Sequence, residues 1–283
     1  MNADISNRIH RLHQDGVEYQ VYRPGPLVDV FIDHFLIAKG YPTFIEEQLF
    51  TNNEIELFFN LGDRNDGQLH SDQPNLSFSS TVISGLRSSF MRIYPRNLFY
   101  IAGMRFTLFG FYHIWQIPAS ELSERNFQAD DVLGKEINEL REKLSECAGN
   151  KKFALMNDWI LKKVDSNLQT ARAWNKVDFF LQRPNSLIKE SLPSLLGYSH
   201  KHSVHLITKM CGLSPKLVHR IYRIRSMLSQ SQIHNESSWA DIAYDFGFSD
   251  QSHLIREFKL FTGFTPSQLI ANLPKDYIIK QLR

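Results

Sequence analysis

The spacing of hydrophobic positions along the chain changes once, near Glu121. Before that point, short runs rich in β-branched and aromatic residues alternate with turn signals. The runs are Val28–Ile37, Ile55–Leu61, Thr81–Ile83 and Leu98–Phe106. Residues 39–42, 61–63 and the polar stretch 65–77 separate them and are predicted to be turns or loops. Several short strands at this spacing predict a small barrel or sandwich.

After Glu121 the apolar residues recur at the spacing of amphipathic helices. These residues are Leu133, Ile137, Leu140, Leu144, Phe153, Met156, Ile160 and Val164. The pattern predicts two helices, and two roles stay open for them. Their apolar faces cover the strands, or one helix pairs with its copy in a homodimer. We place a domain boundary in the polar stretch 166–171, which gives a domain of residues 1–168 and a domain of residues 169–283.

The second domain is predicted to be all-helical, and its sequence repeats itself. Residues 192–199 (LPSLLGYS) match residues 242–249 (IAYDFGFS). Each copy then runs through one helix to a Gly-x-x-Pro, at 212–215 and at 263–266. The repeat predicts two equivalent units, at about 188–212 and 238–263.

The second copy has the pattern of a helix-turn-helix unit. An apolar helix from Trp239 ends at Gly247, and Ser249 is predicted to cap the next helix. One side of that helix is predicted to be buried and contains Leu254, Phe258 and Phe261. The other side carries Gln251, Ser252, Ile255, Arg256 and Lys259. In the major groove Gln pairs with adenine and Arg with guanine, but a helical hairpin with a solvated polar face stays open as an alternative.

The first copy follows the same plan less regularly. Pro193 is predicted to start the preceding helix late or to bend it, and Ser199 to cap the next one. The residues predicted to project outward, in places that match Gln251, Ile255 and Arg256, are Lys201, Val204 and His205. Val204 would contact a thymine methyl group or pack against the domain, and both roles stay open.

The segment between the copies, residues 215–230, is predicted to be one long helix. Its apolar stripe contains Leu217, Ile221, Ile224 and Leu228. Its basic residues are Arg220, Arg223 and Arg225. A connecting helix of this length would hold the two units rigidly, one turn of DNA (about 34 Å) apart.

The charge distribution favours a nucleic-acid partner for the second domain. The net charge is +2, but residues 1–170 carry 17 Lys and Arg against 22 Asp and Glu, whereas residues 171–283 carry 15 against 8. A basic part beside an acidic part is typical of a DNA reader attached to a domain that does not bind DNA.

Residues 171–273 resemble the DNA-binding domain of the AraC/XylS family of bacterial transcription regulators. The motifs that carry the resemblance are residues 241–253 (DIAYDFGFSDQSH), 258–259 (FK) and 263–266 (GFTP). The resemblance implies a monomer that contacts two successive major-groove segments. The residues that it implies as DNA-binding are Lys201, Val204, His205, Gln251, Ser252, His253 and Arg256. The sequence departs from the family pattern at Pro193 and at Ser203, where the family usually has a buried leucine.

The amino-terminal half is also similar, over residues 24–37 and 101–106, to the domain that accompanies one branch of these regulators. This resemblance implies a β-rich sensor or dimerisation domain. Arg105 lies in an aromatic run, and it is either an anion contact in a ligand cavity or a structurally paired arginine.

No catalytic, cofactor or metal site is predicted. The histidines His34, His70 and His113 lack clustered carboxylates, and His200 and His202 would point about 200° apart on a helix. The two cysteines, Cys147 and Cys211, match no zinc spacing and are expected to be reduced thiols, with Cys211 buried and inert.

The predicted fold is α+β, a β-rich, barrel-like amino-terminal domain with flanking helices, followed by an all-α domain with two helix-turn-helix units joined by a long helix. The predicted function is a non-enzymatic, sequence-specific DNA-binding transcription regulator in the cytoplasm. Its predicted partners are double-stranded DNA, RNA polymerase, a small-molecule effector and a second copy of the chain. No membrane association is predicted, because no apolar run approaches the ~20 residues of a membrane helix. An interaction module that no longer reads DNA and a barrel-domain enzyme with a helical appendage stay open as alternatives.

Overall fold

The computed structural model describes residues 8–51, 53–68, 76–78, 80–164, 168–183, 188–229 and 238–272. Strands dominate up to residue 128 and helices after it. The strands are β1 (Ile9–Gln14), β2 (Val17–Tyr22), β3 (Ile32–Gly40), β4 (Glu47–Leu49), β5 (Glu56–Asn60), β6 (Asn65–Gln68), β7 (Leu76–Phe78), β8 (Thr81–Ser84), β9 (Met91–Tyr94), β10 (Phe99–Phe106) and β11 (Asn126–Gln128). The helices of the first half are α1 (Gly110–Trp115), α2 (Ala129–Leu133), α3 (Glu136–Glu146) and α4 (Lys151–Leu161), with a 3₁₀ turn at Ala119–Glu121.

The helices that follow are α5 (Leu168–Gln182), α6 (Ile188–Leu196), α7 (His200–Cys211), α8 (Pro215–Ser229), α9 (Trp239–Asp245), α10 (Gln251–Thr262) and α11 (Pro266–Asn272). The predicted fold class, β-rich first and helical afterwards, is therefore confirmed. The predicted domain boundary between residues 168 and 169 stays a prediction. One hydrophobic core extends from Phe35 in the strands to Phe258 in α10, so the core does not divide at this point. No helix in the described ranges is long and apolar enough to cross a membrane.

The strands form two antiparallel sheets. The larger sheet has the order β1-β2-β3-β10-β5-β8-β11, and the smaller sheet has the order β4-β9-β6-β7. Strand β10 pairs with β3 from Phe99 opposite Gly40 to Phe106 opposite Ile32, with a bulge between Arg105 and Phe106. Within the described residues the sheets do not close into one barrel, so the predicted barrel-like domain consists of two separate sheets.

The predicted strands over 55–61, 81–83 and 98–106 coincide with β5, β8 and β10. The predicted strand over 28–37 begins later, because the backbone N–H groups of Val28 and Asp29 bond to the carbonyl of Gly25 and form a turn. The stretch 65–77 was predicted to be a loop, and this is wrong at both ends. Polar β6 pairs with β7 and β9, and the Asp66 carboxylate accepts hydrogen bonds from Arg64 and Arg96.

The two predicted amphipathic helices correspond to α3 and α4. Their apolar residues are buried in the chain's own core: Ile137, Leu140, Leu144, Phe153, Met156 and Ile160. Of the two roles left open, these faces therefore cover the sheet and are not available to a second copy of the chain. The long connecting helix is α8, and its stripe residues Ile221, Ile224 and Leu228 are buried while Leu217 is half-buried.

Candidate nucleic-acid interface

The second helix-turn-helix unit consists of α9 and α10. Helix α9 begins after Ser238, whose Oγ accepts a hydrogen bond from the backbone N–H of Asp241 at 3.2 Å. The helix ends at Phe246, and Gly247 has a φ of 69°, a left-handed conformation that glycine adopts without a Cβ clash. Phe248 then inserts into the core, so the turn is fixed by an apolar contact and by its backbone geometry.

Helix α10 is capped by Asp250 and not by Ser249 as predicted. The Asp250 Oδ1 accepts a hydrogen bond from the His253 backbone N–H at 2.7 Å, and the Ser249 hydroxyl donates to Oδ2 at 3.0 Å. These two hydrogen bonds lower the pKa of Asp250. A carboxylate satisfies the exposed N–H groups of a helix N-terminus and also interacts favourably with the helix dipole, so it competes well with the neighbouring hydroxyl.

The cap position changes the correspondence between the two units. Helix α7 is capped by Ser199, as predicted, and α7 and α10 each have 12 residues and end at a glycine with positive φ. Position by position, His200 therefore corresponds to Gln251 and Lys201 to Ser252. The predicted match of Lys201 with Gln251 is wrong by one residue, because the turn of the second unit is one residue longer.

A buried ion cluster holds α10 on the connecting helix. The Glu257 carboxylate of α10 accepts hydrogen bonds from Arg220 Nε at 2.6 Å and from Arg223 Nη2 at 2.7 Å. Arg223 also donates to the Gly247 carbonyl at 2.9 Å and lies over the Phe248 ring, with Cζ 3.9 Å from the ring centroid. Burial alone would raise the pKa of Glu257, but the two arginines lower it below its usual value. One arginine therefore fixes both the turn and the recognition helix.

The arginines that make the connecting helix basic thus form ion pairs within the protein. Arg225, the third of them, pairs with Glu54 of the amino-terminal half at 3.3 Å. The sequence pattern did not identify these partners, since Glu257 reads as one more polar residue of an amphipathic helix and Glu54 lies 171 residues from Arg225.

The predicted DNA-binding residues lie mostly on exposed surfaces. Gln251, Ser252 and Arg256 on α10 are exposed, as are Lys201 and His205 on α7. Exposed neighbours that the prediction did not include are His200, Lys209 and Lys259.

Four further residues of these two helices are partly or fully buried. His253 is half-buried: Nε2 lies 3.1 Å from the Glu257 carboxylate and Nδ1 lies 3.1 Å from the Ser249 hydroxyl. Ile255 packs against the core, whereas Val204, its counterpart in α7, is half-buried. Ser203 is fully buried in the position where a leucine is usual in the family it resembles.

Pro193 lies inside α6, five residues after the helix begins at Ile188, so it does not start this helix late. The Gly197 backbone N–H bonds to the Pro193 carbonyl at 2.9 Å, and the helix is therefore completed beyond the proline.

The amino-terminal half contacts both recognition helices at their C-terminal ends. Ser123 Oγ donates to the carbonyl of Gly212, which ends α7, at 2.7 Å. The Gln48 side chain donates to the carbonyl of Thr262, the last residue of α10. A Cβ at Gly212 or at Gly263 would collide with these same side chains, so glycine permits the close approach at both places. The N-terminal ends of both helices, which carry the predicted readers, lie about 16 Å away along the helix axis.

A cavity of about 100 Å³ lies between the two sheets. Its walls come from the larger sheet, for example Leu36 and Ile101, and from the smaller sheet, for example Leu49 and Ile93. A second cavity of about 90 Å³ shares several of these walls and adjoins it. The walls are largely apolar. Their imidazole, carboxylate and guanidinium groups belong to His10, His34, Glu47, Glu56, Arg87 and Arg105. Four of these residues, His34, Glu56, Arg87 and Arg105, interact with one another and form a polar end of the cavity.

Of the two alternatives for Arg105, the structure shows a structurally paired arginine, and its side chain also lines the cavity. It binds Glu56 at 2.6 Å and Glu54 at 3.3 Å, and these carboxylates raise the pKa of Arg105 despite its burial. Burial and then Arg105 lower the pKa of His34, although the hydrogen bond to Asp33 opposes this. Nε of Arg87 and Nη1 of Arg105 are buried and have no hydrogen-bond partner among the described residues.

His113 and the cysteines of the described ranges lie apart from the DNA-binding surface or are buried. No cluster of potential metal ligands occurs in the part of the chain that the structure describes, and His70 lies outside that part. Burial lowers the pKa of His113 to about 4 and raises the pKa of Cys211 to about 12. Cys211 is fully buried with its Sγ 3.3 Å from the Leu213 carbonyl, and it is therefore unreactive as a thiolate.

Two parts of the chain match known families. Residues 194–272 match a family described as a helix-turn-helix domain, and residues 20–128 match a family described as a domain of unknown function, DUF6597. The first match confirms the predicted resemblance: this region is an AraC-type helix-turn-helix domain of the kind found in bacterial DNA-binding transcription regulators. Neither description names an enzymatic activity, and the helix-turn-helix match favours a regulator over a barrel-domain enzyme.

Several solved structures are similar to this chain at low identity. An apo variant of ToxT from Vibrio cholerae is 14% identical with a TM-score of 0.43, over 85% of this chain and 98% of that one. ToxT from Vibrio cholerae with a bound unsaturated fatty acid is 12% identical with a TM-score of 0.42, over 84% and 95%. A Vibrio parahaemolyticus protein of unknown function is 10% identical with a TM-score of 0.27, over 34% and 96%. No curated protein matches the chain.

Proposed function

We propose that this chain, with its AraC-type helix-turn-helix domain, regulates transcription by inserting α7 and α10 into successive major-groove segments of a specific DNA site. The observation that carries the proposal is the equivalence of the two helices. Each has 12 residues and a side-chain N-cap, and each presents exposed polar residues near its N-terminus. This is the end from which recognition helices contact base edges.

The proposed division of roles follows from exposure and from side-chain chemistry. Arg256 is exposed and contacts guanine, while Gln251 contacts adenine, with Ser252 beside them. In the first unit His200 and His205 contact bases, half-buried Val204 contacts a thymine methyl group, and Lys201 contacts phosphate. Phosphate contacts supply most of the affinity and make it depend on salt.

His253 takes a different part in this proposal. Its two ring nitrogens lie 3.1 Å from Ser249 and 3.1 Å from Glu257, so the ring links the turn to the body of α10. We propose that His253 orients α10 and that it contacts DNA only through the exposed edge of its ring. A positioning residue of this kind affects all bases of one element together, whereas a reader affects one base.

The cavity between the sheets is the proposed effector site. Its volume of about 100 Å³, with a second of about 90 Å³ beside it, suits a molecule of about the size of one ring, since a cavity of about 150 Å³ holds benzene. The guanidinium groups of Arg87 and Arg105 in the cavity wall favour a ligand with a hydrogen-bond acceptor at one end. The effector would thus be small, largely apolar and acceptor-bearing.

In the cell, the protein would act in the cytoplasm by recruiting or excluding RNA polymerase at promoters. A homodimer would form through a surface other than the apolar faces of α3 and α4, because these faces are buried in the chain itself.

The experiment that tests the DNA proposal is selection of bound sequences from a random duplex library. The wild-type chain should enrich a motif with two elements in successive major-groove segments. Arg256→Ala should relax one position in one element, because a bidentate contact to guanine discriminates by about 1–3 kcal/mol.

Lys259→Ala is the matched control, since Lys259 is also an exposed cation on α10 but lies one turn further from the N-terminus. It should weaken binding to all sequences without changing the motif. If the wild-type chain enriches no motif and binds only in a salt-sensitive, sequence-independent way, the protein is an interaction module and the proposed function is wrong.

A further inference from the structure

One short segment separates the cavity from the second helix-turn-helix unit. Residues 47–51 and 53–56 run along the edge of the smaller sheet and into β5. Glu47 and Leu49 line the cavity, whereas Gln48 between them bonds to α10. This is the alternation of a strand, in which successive side chains point to opposite faces. The segment is therefore a wall with the cavity on one face and the DNA-binding helices on the other.

Backbone and side-chain hydrogen bonds fix the outer face of this wall to α10 and α8. The Thr51 backbone N–H donates to the Phe261 carbonyl at 2.9 Å, and the fully buried Asn53 donates from Nδ2 to the Val218 carbonyl at 2.9 Å. The last carbonyls of a helix have no partner within the helix, so Thr51 satisfies a group that would otherwise be buried unpaired. These bonds position the helix end.

Phe50 belongs to both sides of the wall. Its ring lines the cavity, and it also packs edge-on against Phe264 just beyond α10, with 6.4 Å between ring centroids. A void of about 10 Å³ lies between Phe50 and the helices, lined among others by Ile221 and Phe261. The contact therefore has room for a small movement of this ring.

Glu54 connects the charges of the two sides. Its Oε1 lies 3.3 Å from Arg225 of α8, and its Oε2 lies 3.3 Å from Arg105, which lines the cavity. Arg105 in turn binds Glu56, another cavity residue, at 2.6 Å. A group that binds Arg105 inside the cavity thus changes the field at the carboxylate that holds the connecting helix.

The first unit is held at a separate place. Ser123 bonds to the Gly212 carbonyl at the end of α7, and Ser123 does not belong to the walls of either cavity. A displacement of the wall would consequently act directly on α8 and on the end of α10, and not on the Ser123 contact that holds the end of α7.

We propose that residues 47–51 and 53–56 couple the cavity to the position of the second helix-turn-helix unit, so that cavity occupancy alters the spacing between the two recognition helices. The inference rests on the proposed function in that this spacing matters for a two-element DNA site. The coupling itself is a property of the protein alone, and it is reciprocal: DNA that demands a given spacing changes the affinity of the cavity for its ligand.

Amide hydrogen exchange of the full chain without DNA tests the coupling. Glu54→Gln removes the shared charge and keeps the shape, and we expect amides at the end of α10 and in α8 to exchange about tenfold faster, as for the loss of a charge-assisted hydrogen bond. Glu46→Gln is the matched control, because this exposed carboxylate pairs with Arg92 of β9 at 2.9 Å. Equal exchange in the two variants would overturn the proposal.

The cavity side is tested by Ile93→Phe, which fills the space from β9, in the smaller sheet. We expect slower exchange of the same amides of α8 and α10, because a filled cavity restrains the wall. Slower exchange confined to the strands around the cavity would show that the wall transmits nothing and would overturn the proposal. Since no DNA is present, failure of the wild-type chain to select a DNA motif would contradict the proposed function and leave this result standing.

Discussion

Arg223 of the connecting helix donates a hydrogen bond from Nη2 to Glu257 Oε2 of the second recognition helix, over 2.7 Å, and both side chains are almost completely buried. Arg220 binds the other carboxylate oxygen at 2.6 Å, but its side chain is 31% exposed against 9% for Arg223. Two arginines on one carboxylate thus differ mainly in burial and in the further contacts of Arg223 to Gly247 and Phe248.

This difference predicts unequal costs for the two substitutions. Arg223→Gln should lower the free energy of unfolding by about 3 kcal/mol, because it leaves a buried carboxylate with half of its compensation and frees the Gly247 carbonyl. Arg220→Gln should cost about 1 kcal/mol or less, since water replaces part of the lost interaction. Urea unfolding of the two variants measures both values, and equal costs would show that burial does not decide the strength of these pairs.

The register of the first recognition helix gives a second prediction. The N-caps Ser199 and Asp250 place His200, and not Lys201, in the position of Gln251. His200→Ala should therefore relax base preference in the first DNA element at the place where Gln251→Ala relaxes it in the second. Lys201→Ala should mainly weaken binding and reduce its salt dependence. Library selection with the three variants shows which residue of the first unit corresponds to Gln251. If Lys201→Ala relaxes the base preference and His200→Ala does not, the correspondence predicted from the sequence is correct.

The sequence predicted the helical half well because its signals are local. Glycines with positive φ at 197, 212, 247 and 263, the cap at Ser199 and the apolar stripe of α8 depend on neighbours within a few residues. The cap of α10 was misplaced by one residue because a serine and an aspartate stand side by side, and only geometry decides which of them accepts the hydrogen bond.

The contacts that hold the molecule together were not predictable in the same way. Asn53 bonds to a backbone carbonyl 165 residues away, and Glu54 to an arginine 171 residues away. The spacing of hydrophobic and polar residues along the sequence does not indicate such distant pairs. Strand β6 was missed because its buried residue Asp66 is polar and bonds to Arg64, just before β6, and to Arg96, just after β9. The apolar alternation of an ordinary strand is therefore absent.

Ser203 offers a prediction about stability in the first unit. It is fully buried in α7, and its hydroxyl has no hydrogen-bond partner among the described residues. Ser203→Ala should raise the free energy of unfolding by about 1 kcal/mol, because it removes an uncompensated buried polar group and favours the helix. Thermal unfolding measures the gain in stability, with Ser194→Ala, at an exposed position of α6, as the control. A loss of stability would mean that the hydroxyl has a bound water as partner.

A buried acid between α5 and α8 predicts a pH dependence of stability. Burial raises the pKa of Asp178 to about 6 from its ordinary value of 3.8, although the Tyr222 hydroxyl, 2.7 Å away, and Gln182 oppose this, and the carboxylates of Glu54 and Asp33 add to it. The folded state therefore binds the proton more tightly than the unfolded state. The stabilisation from this proton is complete below pH 3.8 and is lost as the pH rises through about 6.

Asp178→Asn removes this titration while its side-chain oxygen still accepts from Tyr222. The variant should be more stable than the wild type at pH 7, by on the order of 2 kcal/mol, and the difference should shrink to almost nothing at pH 4. Urea unfolding at a series of pH values gives the two curves, with Asp131→Asn at an exposed position as the control. Parallel curves for Asp178→Asn and the wild type would show that the pKa of Asp178 is the same in the folded protein as in the unfolded chain. In that case the hydrogen bonds from Tyr222 and Gln182 would stabilise the charge as much as burial opposes it.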